Sequence, residues 1–313
     1  MPVYAAVKSE SRGTIFVASS CSLTSLAAPC LALQNIVSIG AYKASLPAAK
    51  IFVLGIMAGC YIAFGGLLMF TLSGNMPGRC SQHGMISRWC MSVCTWHTLA
   101  STLWQGGSCD DTGLTLLFMT CHLGLAASNY GLYKLLAAMV FPVGLLMVML
   151  GGAELYTGNT FTVVCAYLEG KVRLQDLAKS WLCSYSGNLV GCLLMVAAVS
   201  YINILAGNPM PAKMAVYKTS HALGPCVVRA ILANWLVNVA VFHCLAASSL
   251  PGKLLGLWPP ITAFVTIGLE HSVANMFIIP LGITMGAQVT WSQFIGSNLI
   301  PVTVSNGQSC ILS

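Results

Sequence analysis

One eight-residue pattern occurs twice in this chain, and each copy interrupts a long apolar run. Gly152-Ala-Glu-Leu-Tyr-Thr-Gly-Asn159 and Gly268-Leu-Glu-His-Ser-Val-Ala-Asn275 both read G-x-E-x-x-x-x-N. Glu154 and Glu270 are the only acidic residues in the main apolar blocks. Ionisable groups at such depth are costly and mark function by default. Two matched polar interruptions are what an internally repeated transporter carries at its substrate site. A soluble domain is excluded by composition: 57% of residues are hydrophobic and 7% charged, against about 25% charged in an ordinary globular domain. The chain reads as an all-α polytopic membrane protein. Its 14 basic residues exceed 7 acidic ones, for a net charge of +7, but they do not cluster. The expected partners are therefore the lipid bilayer and small anions, with no nucleic acid.

Taken in order, residues 1–45 are Ser- and Ala-rich and acid-poor, the composition of an organelle transit peptide or a disordered tail. Residues 51–72 form a first span, long enough for roughly 30 Å of hydrocarbon. Residues 79–128 do not resemble the rest. They hold Cys80, His83, Cys94 and His97 as two C-x-x-H units, yet the spacing matches no zinc finger, so neither metal nor cofactor is expected. Further spans are predicted over residues 135–152, 181–205 and 227–247, the last with Asn234 and Asn238 one helical turn apart. A fifth begins at Ile261 and is broken by the second pattern. Residues 288–296 read as interfacial, and after Asn298 the chain is too polar for a sixth span. The 14 cysteines are scattered through apolar stretches and act as small hydrophobes rather than a disulfide framework.

Three spans with a mid-segment break precede residue 210, and nearly three with the same break follow it. An odd number of spans per half inverts the second half relative to the first. This gives an inverted repeat of three plus three helices, with two broken helices and a truncated sixth. Half-helix N-termini at the breaks carry partial positive charge and favour an anion. His271, beside Glu270, can donate a hydrogen bond or a proton to a weak-acid anion; the competing reading is a buried histidine satisfied by a backbone carbonyl. Lys218 stands before the fourth span, either drawing anions into a vestibule or snorkelling to the interface. Glu154, Asn159, Glu270 and Asn275 read as scaffold tying the loops to half-helix ends.

At these residues the chain resembles the formate/nitrite transporter family. The matching stretches are Phe141-Pro-Val-Gly144, the two patterns, Gly187-Asn-Leu-Val-Gly191, Ile231-Leu-Ala-Asn234, and Asn298-Leu-Ile-Pro-Val-Thr303. They span residues 35–78 and 129–306, a transmembrane domain over 46–306 that the 79–128 insert interrupts and a divergent tail at 307–313 follows. The resemblance implies an aquaporin-like protomer, a homopentamer with one pore per subunit, and transport of nitrite, formate or bicarbonate. It further implies that Thr157, His271, Lys218 and Asn234 lie on the substrate pathway. Phe141, Leu145, Leu155 and Phe264 match its apolar constriction. Tyr61-Ile-Ala-Phe-Gly65, Leu257-Trp-Pro259 and Val289-Thr-Trp-Ser-Gln293 look most similar to green-algal members of the chloroplast envelope.

The insert and the short sixth segment depart from that pattern, so a non-transporting splice or gene-model product of the same family is the alternative. An aquaporin-like pore for neutral solutes would want N-P-A-like loops, and these carry Glu, His and Thr. No nucleophile–base set stands in the membrane part, so an enzyme is not expected.

Overall fold

A computed structural model describes residues 27–74 and 129–308, and among them every regular element is helical. The order is α1 (Ala27–Ser45), α2 (Ala48–Gly74), α3 (Tyr130–Met139), α4 (Pro142–Gly151), α5 (Tyr156–Leu168), α6 (Leu174–Ile202) and α7 (Met210–Thr219). Then come α8 (Leu223–Ala246), α9 (Leu250–Ile267), α10 (Ser272–Thr284), α11 (Trp291–Gln293), a π-helical turn (Phe294–Leu299) and α12 (Ile300–Gln308). By length and hydropathy α2, the Tyr130–Gly151 segment, α6 and α8 can each cross a membrane, and α9 with α10, bent by 47° at the break, passes the same test as a pair.

Both broken helices stop for the same reason. Gly152 (φ 65°) and Gly268 (φ 84°) take the left-handed conformation that ends a helix at little steric cost. The next amide turns back on the helix, Ala153 N to Val148 O at 3.1 Å and Leu269 N to Phe264 O at 3.2 Å. Three extended residues follow, and a second half-helix begins.

The long helices α2 and α6 approach each other through glycine. A Cβ on Gly55 would lie 3.0 Å from Ser184 O, and one on Gly191 would run into Ile56 O. Small residues at such a crossing permit backbone contact in a bilayer. Gly191→Val is therefore expected to lower stability by about 1–3 kcal/mol through overpacking, measured as a lower thermal unfolding midpoint in detergent. An unchanged midpoint would show that the helices can separate without cost.

Two expectations are corrected. Residues 27–45, read as part of a transit peptide or disordered tail, form helix α1, which packs on α5 and α8. A sixth helical segment is also present, about 27 Å long at 1.5 Å per residue. It starts at Trp291, seven residues before the expected position at Asn298, behind a capping box formed by Thr290 and Gln293. The 79–128 stretch, with its C-x-x-H units, and the 309–313 end of the tail lie outside the described residues.

Candidate functional site

The two breaks carry the same hydrogen-bond scheme. At the first, Glu154 is 2% exposed. Its carboxylate accepts from Asn159 Nδ2 at 2.7 Å and pairs with Lys43 Nζ at 3.3 Å. At the second, fully buried Glu270 accepts from Asn275 Nδ2 at 2.7 Å and pairs with Lys218 Nζ at 3.1 Å. Buried carboxylates persist only when compensated in this way. A neighbouring helix holds each glutamate amide: Leu54 O accepts from Glu154 N at 3.2 Å, and Arg229 O from Glu270 N at 3.5 Å.

An asparagine then clamps each half-helix start. Asn188 Oδ1 accepts from Tyr156 N at 2.9 Å while its Nδ2 donates to Gly55 O at 2.8 Å and Glu154 O at 2.9 Å. Asn306 does the same from α12: Oδ1 accepts from Ser272 N at 2.9 Å, and Nδ2 donates to Ala230 O at 2.7 Å and Glu270 O at 3.5 Å. First-turn amides at such depth have no water to bond, so these clamps stand in for it. The π-helical turn presents Asn298, whose Nδ2 donates to Glu270 Oε2 at 3.0 Å and to Lys218 O at 2.9 Å.

His271 caps α10: its Nδ1 accepts from Ala274 N at 3.1 Å. With Nδ1 an acceptor, the neutral ring carries its proton on Nε2, which donates to Thr157 Oγ1 at 2.9 Å. The centres of the two patterns thus meet through one side-chain hydrogen bond. Phe264 stands 5.8 Å from the imidazole and 5.8 Å, edge-on, from Phe141. Leu145 and Leu155 are buried in the same apolar cluster as this phenylalanine pair.

Beside His271 lies a cavity of about 60 Å³, whose walls include Phe141, Tyr217, Lys218, Phe264 and Asn275. One water needs roughly 10–15 Å³ of such space. The cavity therefore takes a few waters or one anion of three or four heavy atoms.

Asn234 sits elsewhere. Its Nδ2 donates to Asn306 O at 2.9 Å and Thr160 Oγ1 at 3.2 Å, so it braces α5 and α12 against α8 and lines no part of this cavity. Sequence reasoning missed Lys43, Arg229, Asn298 and the clamping role of Asn188 and Asn306. Arg229 Nη1 donates to Gly268 O at 3.1 Å and to Tyr217 Oη at 3.0 Å, which fixes the end of α9. The usable signal was repetition: Lys43-Ala-Ser-Leu46 parallels Lys218-Thr-Ser-His221 at the same place in each half.

Comparison with known proteins places this geometry. A family model described as formate/nitrite transporter matches residues 104–309, including 104–128 of the stretch set apart above. A probable formate transporter of Methanothermobacter thermautotrophicus is 34% identical over 289 residues, covering 86% of this chain and 87% of its own length. The formate channel FocA of Escherichia coli (strain K12) is 34% identical over 218 residues, covering 61% of this chain and 75% of FocA. Among solved structures, an FNT family ion channel superposes with a TM-score of 0.65 at 22% identity, covering 92% of this chain and 95% of that one. A pentameric formate channel with formate bound gives 0.62 at 23% identity, covering 85% and 93%.

Proposed function

The chain belongs to the formate/nitrite transporter family, and from that premise we propose that it is a pore for small monovalent weak-acid anions, among them formate, nitrite and bicarbonate. It is an integral membrane protein whose relatives are transporters and channels rather than enzymes. The observation that carries the reading is the His271 Nε2 to Thr157 Oγ1 bond at 2.9 Å, beside a cavity of anion size and against the Phe141–Phe264 pair.

An anion stripped of water at an apolar constriction needs donors. Here Nε2–H can exchange Thr157 for the anion, and the Thr157 hydroxyl can turn to donate as well. The cap bond to Ala274 N favours hydrogen-bond donation over proton transfer. An imidazolium would place a proton on Nδ1, facing the amide hydrogen it now accepts. The acid's proton is then best taken from solution in the vestibule, where Lys218 borders the cavity.

A homopentamer is the assembly we expect, because the matched formate channel is described as pentameric. Large apolar side chains on the outer faces of the spans, such as Val53, Leu182 and Leu194, suit lipid or subunit contact. The finer placement, a green-algal chloroplast envelope, rests on the Tyr61–Gly65 and Leu257–Pro259 stretches and the Ser-rich start. A fluorescent-protein fusion should outline chloroplasts in an algal cell; label confined to the plasma membrane would overturn that placement. For transport itself, purified protein in liposomes should take up labelled formate, nitrite or bicarbonate well above protein-free vesicles. Uptake of none of the three would sink the reading.

A further inference from the structure

The two lysines repeat each other, but their surroundings differ. Lys43 Nζ bridges Glu154 to Asn159 Oδ1, at 3.4 Å and 3.0 Å. Lys218 Nζ holds Glu270 Oε1 at 3.1 Å and only the carbonyl of Leu269 besides, at 3.4 Å. Asn275 Oδ1, the counterpart of the acceptor that Lys43 uses, is buried with no partner. Three residues beyond Lys43 stands Leu46; three beyond Lys218 stands His221. Its Nε2 is buried without a hydrogen bond, 3.8 Å from the same Glu270 Oε1 that Lys218 holds.

We propose that His221 is a positioning residue for Lys218: in its cationic form it takes Glu270 Oε1, and Lys218 shifts toward Asn275 Oδ1 at the cavity wall, the bridging position that Lys43 already occupies in its own half. The charged and titratable groups around His221 are Tyr217 and Lys218 from α7, Arg229 from α8, and Glu270 from the break. Burial first, then Arg229, holds the imidazole below its ordinary value, with Glu270 opposing them. The ring is therefore neutral near neutral pH and takes its second proton at a lower pH than an unperturbed histidine does. Acid on this side of the site adds one positive charge and frees Lys218 to face the anion, whereas Lys43, with Leu46 in the matching place, has no imidazole to respond.

This inference rests on the proposed pore, and the test separates the two. Formate uptake into liposomes is compared for the wild type, His221→Gln (fixed neutral) and His221→Arg (fixed cationic), from about pH 7.5 to about pH 5. Both proteins in each ratio meet the same solution, so protonation of formate itself cancels. The wild-type to His221→Gln ratio should be near one at neutral pH and rise several-fold in acid, and His221→Arg should show the raised rate already at neutral pH. A ratio flat across pH, with every protein conducting, overturns the role of His221 and leaves the pore intact. No uptake by any of the three overturns both.

Discussion

His271→Phe is expected to cut anion flux about 10- to 100-fold. The figure follows from the bond it removes. A hydrogen bond to a charged group is worth about 1.5–3 kcal/mol, and each 1.4 kcal/mol is a factor of ten in rate. In the wild type Nε2–H is the donor presented at the Thr157 contact, 2.9 Å away, with Phe264 against the ring. Phenylalanine keeps the bulk and removes the donor. It also removes the cap on Ala274 N, a loss of about 1 kcal/mol of helix stability, so the measurement needs a control that keeps the cap. His271→Asn supplies one, because its oxygen can cap α10 while its amide can donate into the pore. Liposome uptake normalised to folded protein should fall for Phe and recover in part for Asn. Unchanged flux in the phenylalanine variant would remove the histidine from the mechanism.

The breaks were legible because polar residues inside apolar runs stand out in one dimension. Gly152 and Gly268 announce the left-handed stops, and Glu–Asn spacing announces that a carboxylate and its donor meet across the extended turn. Lys43 was legible only through its repeat with Lys218, and not from its own surroundings. It is one cation in an acid-poor start, and its partner Glu154 is 111 residues away. The last helix failed for a different reason. Hydropathy averages over all faces, whereas Asn298 and Asn306 are buried and donate to Glu270 at the second break. Residues that read as too polar to span are the ones supplying the bonds the broken backbone lacks. Asn234, which the resemblance puts on the substrate pathway, braces α5 and α12 against α8 in this structure.

Breaking the Lys218–Glu270 pair should be as damaging as any change at the pore centre, but through stability. The side chains are 7% and 0% exposed, at 3.1 Å. Removing one member of a buried pair leaves the other charge uncompensated, at a cost of about 3–5 kcal/mol. Lys218→Met leaves Glu270 with the Asn275 and Asn298 amides as donors, so its loss should fall near the low end. Glu270→Leu strands a buried ammonium and strips acceptors from both asparagines, so it should fall near the high end. The double variant removes both charges together, and the shared pair should make it less destabilised than the sum of the singles, by about 0.5–3 kcal/mol. Urea denaturation in detergent, followed by tryptophan fluorescence, gives all three values. Strict additivity would mean that lysine and glutamate act independently, and Lys218 would then be a vestibule charge with no structural share. The expected non-additivity instead ties the cation facing the cavity to the turn that aims His271, because Glu270 precedes His271 directly in the chain.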